Sequence, residues 1–460
     1  MNAKNILVLG AGPGGYAAAF LAADLGMKVT MVDASPQLGG VCLHRGCIPS
    51  KTLLHLAKLI SETRQAKTFG LDFGDPAINL AAISNWKNQV VNQMANGLAT
   101  LSKQRKVNLV AGHAVFKDSH TVIVSGKQEL TFDHAILATG SSPIMPKEFA
   151  SIKGLMDSTS ALELATIPKR LLIVGGGYIG LEMGTVYAAL GSRVSVVELL
   201  GGLLPGADRD LVRPLQARLA KEFDGIYLNA QVTLTRTAQG LKAVFHGEEA
   251  PKDQEFDQVL VSVGRRPNSG GIGLENTQVE LDERGFVRVD KQLRTSDPAI
   301  FAIGDVIGGA MLAHKASHEG RVAVEVLAGE AVEFDKRVIP AVVFTDPEIA
   351  WCGLTETEAK ASGKEIIVAK FPWGASGRAA TLGRTEGMTK LVLEPKTERI
   401  LGVGIVGVGA GELIAEGVMA VGAGATSLAK TIHPHPTLSE TLMEAAEVFL
   451  GTATHIYKRR

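Results

Sequence analysis

The run KNILVLGAGPGGYAAAFLAADLGMKVTMVD, Lys4 to Asp33, returns as RLLIVGGGYIGLEMGTVYAALGSRVSVVE, Arg170 to Glu198. Each copy reads as an apolar strand, a glycine turn, a helix of mostly small residues, and a second strand ending in an acid. In the first copy the spacing predicts a strand over 5–9, a helix over 16–25 and a strand over 29–32. Gly10, Gly12 and Gly15 match Gly175, Gly177 and Gly180, and Asp33 and Glu198 each lie 23 residues beyond the first glycine. One G-x-G-x-x-G is weak evidence in a chain with 52 glycines. Two, each between a strand and a helix and each followed by an acid at the same distance, point to two Rossmann dinucleotide-binding units. The first glycine makes the tight turn, the second lets the backbone approach a pyrophosphate, and the third lets helix pack on strand. The helix N-terminus faces the phosphates, and the acid accepts hydrogen bonds from a ribose diol. A 2′-phosphate would need arginine or lysine just past that acid. Glu198 is followed by Leu199, Leu200, Gly201 and Gly202, so the second unit is expected to take NAD rather than NADP.

At 460 residues the chain exceeds one hydrophobic core. HAILATGSSP (His134 to Pro143) and VLVSVGRRPN (Val259 to Asn268) each end an apolar strand in glycine, where a Rossmann unit would close. AIFAIGDV (Ala299 to Val306) is similar, with Asp305 at the strand end. From Val338 the fingerprints stop and an α+β pattern begins. The expected architecture is α/β, with two Rossmann-type domains and a separate C-terminal α+β domain. The boundaries are 1–147 for the first dinucleotide-binding domain, 148–268 for the second, 269–337 for a central segment completing the first unit's site, and 338–460 for the C-terminal domain.

Composition excludes several classes. Lysine plus arginine and aspartate plus glutamate both number 47, which gives no electrostatic case for nucleic acid or an anionic membrane. Gly10, Gly12, Pro13, Gly14 and Gly15 interrupt the N-terminal apolar run where a signal helix would be continuous. Glu412 and Glu416 interrupt the apolar tract 402–425, which argues against a membrane span. Three cysteines do not make a disulfide scaffold, so a reducing, cytoplasmic setting is expected. No metal site is expected.

Two of the three cysteines, Cys42 and Cys47, stand in GGVCLHRGCIPSK. In a straight helix, residues five apart have Cα atoms about 8–9 Å apart, whereas disulfides prefer about 4.4–6.8 Å. If these two bond, the helix must be broken between them, and Gly46 supplies the freedom. Such a ring would be reducible and closes too short a loop to act as a staple. The alternative is two packed, reduced thiols. Beside a flavin in the first unit, a thiol pair could pass two electrons to the flavin, and the flavin a hydride to a nicotinamide in the second.

GGVCLHRGCIPSK, both fingerprints, ATGSSP, GRRPN, AIGDV, MLAHKASHEG and HPHPTLSE together resemble the flavin-dependent pyridine nucleotide-disulfide oxidoreductases, from about Lys4 to about Glu447. Within that family the resemblance is to the members that oxidise protein-bound dihydrolipoyl groups and reduce NAD⁺. It implies FAD in the first unit, NAD in the second and a homodimer formed through the C-terminal domain. Cys42 resembles the thiol that exchanges with substrate, and Cys47 the thiol nearest the flavin, which forms a charge-transfer thiolate. Lys51 resembles the family lysine beside the flavin's reactive nitrogen, paired with Glu182. Asp305 resembles the aspartate on the FAD ribityl hydroxyls, and Ala313 a backbone contact near the flavin. Thr139 and Gly140 belong to the ATG turn of the FAD site. Val232 and Gly264 resemble backbone neighbours of NAD. Ala114 replaces the glycine of many relatives at an FAD contact, and Asp33 is shorter than the usual glutamate.

Thiol exchange needs a proton acceptor, and histidine suits the task near neutral pH. The family motif places the base directly before Pro-Thr, which selects His435 over His433, with Glu440 orienting it and the partner subunit's cysteines as its target. TLSE also reads as a capping box, with Thr437 as N-cap and Glu440 at the third helical position. The two roles are compatible if the helix starts later. Cys352 has no partner in sequence and is expected in the core.

The alternatives are an NADH-dependent reductase of another disulfide, and a non-catalytic NAD(H)-sensing or scaffold flavoprotein, for which the Cys-Cys-His-Glu set would be superfluous. No lipoyl domain is expected ahead of the first fingerprint. The carrier is therefore expected on another polypeptide, of a 2-oxoacid dehydrogenase or glycine-cleavage system.

Overall fold

The computed structural model describes residues 4–335 and 338–457; residue 337, an expected domain boundary, lies outside them. The first fingerprint sits in a five-stranded parallel sheet, in the order Ile300–Ala302, His134–Leu137, Asn5–Leu9, Lys28–Asp33, Asn108–Ala111. The strand Ile300–Ala302 comes from the central segment, which is thereby built into the first unit. The helix spans Pro13–Asp24, three residues earlier than the spacing predicts, because proline is tolerated in the first turn, where its missing N–H has no partner to lose. It packs on the helix Ala313–Ala328. Gly320 makes that approach possible, since a Cβ there would lie 2.6 Å from the Gly14 carbonyl oxygen.

The second unit repeats the plan in a four-stranded parallel sheet, in the order Gly225–Tyr227, Arg193–Val197, Arg170–Val174, Gln258–Val261. The likeness extends beyond the fingerprints. Each unit inserts a three-stranded antiparallel sheet ahead of a later parallel strand: Ala114–Asp118, Thr121–Val124 and Gln128–Thr131 in the first, Gln231–Thr237, Gly240–His246 and Asp253–Phe256 in the second. The ATGSSP and GRRPN segments then pair with each other, Ser141–Pro143 against Arg265–Pro267. Asn268 locks that junction: its Nδ2 donates to the Thr139 carbonyl at 2.9 Å, and its own carbonyl accepts from Thr139 Oγ1 at 2.8 Å.

The C-terminal region is a five-stranded antiparallel sheet, in the order Ala341–Val343, Glu348–Gly353, Ile400–Gly407, Met388–Leu393, Ile367–Pro372. The helices Ala410–Ala420 and Glu440–Leu450 pack on it. Trp373 and Phe371 fill its core, as does Cys352, whose thiol burial pushes up to about 12. The apolar tract 402–425 is divided between a strand and a helix. Among the described residues no helix is long and apolar enough to cross a membrane.

A buried ion cluster joins this sheet to the second unit. Lys390, 1 % exposed, donates to Asp208 at 2.7 Å, Asp210 at 2.8 Å and Glu356 at 2.7 Å. Asp208 also accepts from the Glu356 and Thr357 N–H groups. Against the burial that raises it, Lys390 holds the Asp208 carboxyl below its usual range. Lys390→Met is expected to destabilise the protein by about 3–5 kcal/mol, because it leaves the buried Asp208 carboxylate without its cation, whereas Asp210 and Glu356 keep Lys370. Chemical denaturation of the two proteins checks this.

Candidate active site

The two glycine turns are built alike. Gly10 N–H donates to the Val32 carbonyl at 2.8 Å, and Gly175 N–H to Val197 at 2.9 Å, so each turn leaves the tip of the first strand under the neighbouring strand. The first and third glycines are demanded by the protein itself. A Cβ at Gly10 would lie 2.2 Å from the Ala138 carbonyl oxygen and one at Gly15 1.8 Å from the Gly10 oxygen; Gly175 and Gly180 are as crowded. The middle glycines are not. A Cβ at Gly12 would meet only the Gly40 Cα, at 4.0 Å, and one at Gly177 would meet nothing within 4 Å. A side chain there would instead enter the space in front of the helix N-terminus, which is the requirement of a bound pyrophosphate.

Asp33 and Glu198 also behave alike. Asp33 Oδ2 accepts from Ala11 N–H at 2.7 Å and Glu198 Oε2 from Gly176 N–H at 2.6 Å, each pinning its glycine turn. Their other oxygens accept from Ser35 N–H and Leu200 N–H, both at 2.8 Å. A carboxylate oxygen has two lone pairs, so capacity for a ribose remains. Asp33 reaches its partner despite being one carbon shorter.

A cavity of about 1160 Å³ opens in front of the first turn, larger than the roughly 300–1,000 Å³ of pockets for drug-sized ligands and of a size for a dinucleotide. Its wall includes Gly10, Gly12, Asp33, Cys42, Cys47, Lys51, Ala114, Thr139, Gly140, Glu182, Asp305 and Ala313. Gly15, Gly175, Gly177, Gly180, Glu198, Val232, Gly264, His435 and Glu440 are not on that wall. Val232 lies in the antiparallel strand Gln231–Thr237 of the second unit. Gly264, at φ +130, leads into the junction strand Arg265–Pro267.

Cys42 and Cys47 lie on different helices. Gly40–Arg45 ends at Gly46, whose φ −151 and ψ −113 break the path, and Cys47 begins Cys47–Ala66. A Cβ on Gly46 would press on Val41 and Cys42, at 3.0 and 3.3 Å, so glycine here serves close approach. The thiols titrate as a pair. The Cys42 S–H donates to Cys47, which together with burial raises Cys42 and, helped by the Lys51 ammonium, lowers Cys47 to about 7. Negative charge on the pair is therefore favoured at Cys47 over Cys42.

Lys51 Nζ donates to Glu182 Oε2 at 2.8 Å, and Glu182, 4 % exposed, turns its other oxygen to Phe344 N–H at 3.0 Å. Sequence reasoning missed the supports of Asp305. Ser141 Oγ donates to Asp305 Oδ2 at 2.5 Å and accepts from Arg265 Nε at 2.7 Å. The turn carrying Asp305 is held from behind by the buried pair Lys315–Glu319, with Glu319 accepting Gly304 N–H at 2.8 Å. Both supports lie in quoted motifs, GRRPN and MLAHKASHEG, but their partners are over 100 and about 11–15 positions away respectively, and no local pattern pairs them. Tyr178, directly after the middle glycine of the second fingerprint, reaches the wall of the first unit's cavity.

The two histidines are told apart by burial. His433 is held at both ring nitrogens, by Glu416 at 2.6 Å and the Thr431 carbonyl at 2.9 Å. His435 is 72 % exposed, and its Nδ1 meets Glu440 Oε1 at 2.9 Å. The helix starts at Glu440, with Ser439 and not Thr437 as its cap. Half of the capping box survives, because Glu440 Oε2 accepts Thr437 N–H at 2.7 Å while Oε1 serves the histidine. Against a burial that raises it, these contacts lower the Glu440 carboxyl.

Two nucleotide-type turns, a dinucleotide-sized cavity and a polarised thiol pair on its wall define a redox enzyme that couples a disulfide to a dinucleotide. The chain belongs to the pyridine nucleotide-disulphide oxidoreductases: it matches that family over residues 4–320 and the family's dimerisation domain over 339–446. It is 48 % identical to a dihydrolipoyl dehydrogenase of Vibrio cholerae, over 98 % of this chain and 96 % of that one. It is 47 % identical to one of Haemophilus influenzae with the same coverage. Among solved structures it is similar to LpdA of Mycobacterium tuberculosis, with 28 % identity, a TM-score of 0.88, and 97 % and 99 % of the two chains covered. It is also similar to the HOCl-induced flavoprotein disulfide reductase RclA of Escherichia coli, with 30 % identity, a TM-score of 0.85, and 95 % and 98 % covered.

Gly12→Ala is expected to leave the melting temperature of the flavin-free protein unchanged while lowering the flavin-to-protein absorbance ratio, whereas Gly15→Ala is expected to destabilise the fold itself. In the reduced protein, ultraviolet thiolate absorbance is expected to appear as pH rises through about 7 and to be lost below it, because the Cys47 pKa is depressed.

Proposed function

We propose that the protein is an NAD-dependent dihydrolipoyl dehydrogenase that acts as a homodimer on lipoyl groups carried by another polypeptide. The observation that carries this reading is the full-length identity with enzymes of that name, and the match to the dimerisation domain supports the dimer. FAD, held by the cavity of the first unit, supplies two-electron transfer between a thiol pair and NAD⁺. Gly12, Asp33 and Asp305 would hold its pyrophosphate, ribose and ribityl chain, and Glu198 the ribose of NAD.

The chain's own residues account for the sulfur chemistry. In the oxidised pair, Cys42 is the sulfur attacked by one substrate thiolate and Cys47 the one that leaves, since the thiol of lower pKa leaves faster. The Cys42–Cys47 bond breaks and a bond from substrate sulfur to Cys42 forms. The second substrate thiol then attacks the first substrate sulfur, which closes the lipoyl ring and releases Cys42, now protonated. Of the two substrate protons, one is held by His435 as an imidazolium stabilised by Glu440 and the other passes to the released Cys42 sulfur. His435 is absent from this chain's own cavity and exposed on the dimerisation domain beside Ile432, 95 % exposed. That exposure supports a role for His435 at the cavity of the partner subunit, as the family resemblance implies.

A second reading, a reductase of another disulfide, is favoured by the likeness to RclA, although at lower identity. Anaerobic addition of dihydrolipoamide to the purified yellow protein is expected to raise a long-wavelength absorbance band that disappears as added NAD⁺ becomes NADH. Bleaching by NADH without a response to dihydrolipoamide would favour the other disulfide. His435→Gln is expected to slow dihydrolipoamide oxidation by about 10²–10⁴-fold, the usual worth of a general base, and Glu440→Gln to slow it less.

A further inference from the structure

Three parts of the fold meet at one side chain. Lys51 belongs to the helix Cys47–Ala66 that begins at the redox thiol, Glu182 to the helix Tyr178–Ala189 of the second unit, and Phe344 follows the strand Ala341–Val343 of the dimerisation domain. Phe344 touches both members of the ion pair. Its backbone N–H donates to Glu182 Oε1 at 3.0 Å, and the Lys51 ammonium sits over its ring, 4.5 Å from the centroid. Lys51 is one-third exposed, so its partner carboxylate alone leaves it room to move. A ring face attracts an ammonium through its quadrupole, and the Phe344 ring supplies a second contact from a different domain.

We propose that Phe344 is a positioning residue: it clamps the Lys51–Glu182 pair and through it holds the Lys51 charge on the Cys47 thiolate, so that the seating of the dimerisation domain sets the state of the redox thiol. The groups that act on Cys47 are Cys42, Lys51 and Glu182; Lys51 favours its thiolate and Glu182 opposes it. The hydroxyls of Tyr16 and Tyr178 also feel the Cys47 charge. A loosened Lys51 would therefore leave the opposing Glu182 charge less balanced, and the thiolate would lose ground. The inference rests on Cys47 working as a thiolate in the proposed reaction.

The test compares unaltered holoenzyme with Phe344→Leu and Phe344→Tyr, all reduced, by following ultraviolet thiolate absorbance against pH. Phe344→Leu is expected to move the first midpoint of the Cys42–Cys47 pair upward, with about threefold less thiolate at neutral pH, the scale of an exposed cation–π contact. Phe344→Tyr keeps the ring and is expected to keep the midpoint. An unchanged midpoint in Phe344→Leu overturns the inference whatever happens to its melting temperature, as does an equal shift in Phe344→Tyr. If Phe344→Leu does not fold, Phe344→Met, apolar and unbranched, takes its place with the same expectation. Because this readout needs no substrate, a failure of dihydrolipoamide oxidation would count against the proposed reaction alone.

Discussion

The cavity exists because backbone can touch backbone at the tip of the first parallel sheet. At Gly10 and Gly15 the turn folds so tightly that a single carbon atom at either position would overlap a carbonyl oxygen. That contact brings the N-terminus of Pro13–Asp24 to the edge of the sheet and opens the space in front of it. The same contact recurs at Gly175 and Gly180. With the helix ends fixed, the acids at the next strand tips have a defined task, accepting an N–H of the turn. The cavity wall, from Cys47 to Asp305, surrounds the first of these turns, and the helix after the second turn adds Tyr178 and Glu182 to it.

The thiol pair shows how the fold creates chemical asymmetry from identical groups. Two cysteines in water have the same acidity. Here the break at Gly46 sets them on separate helices, close enough for one S–H to donate to the other sulfur. Lys51, one turn into the second helix, favours charge on Cys47. One thiol thus holds its proton more tightly and the other gives it up more readily, which is the division of labour that a stepwise exchange requires.

Much of this was legible in the chain itself. The paired fingerprints, their acids and the thiol pair lie in short motifs whose residue types imply chemistry, while the Lys51–Glu182 and His435–Glu440 pairings were implied only by the family resemblance. What was not legible depended on distant partners. Nothing local says that ATGSSP pairs with GRRPN, that Arg265 steadies Asp305 through Ser141, or that Lys390 is the buried cation for Asp208, Asp210 and Glu356. The start of the last helix was ambiguous for a related reason. Glu440 satisfies a cap-like contact and a histidine at once, and only the folded loop shows that it has an oxygen for each.

The sequence by itself determined the two glycine turns and set Cys42 and Cys47 beside each other with a glycine between them, because steric limits on glycine and short sequence spacing act over a few residues. The tertiary structure decided which thiol carries the charge, which histidine is exposed, and how three separate stretches of chain meet at Lys51. Those outcomes depend on burial, on distance and on the direction of hydrogen bonds, and these arise only when segments remote in sequence pack together.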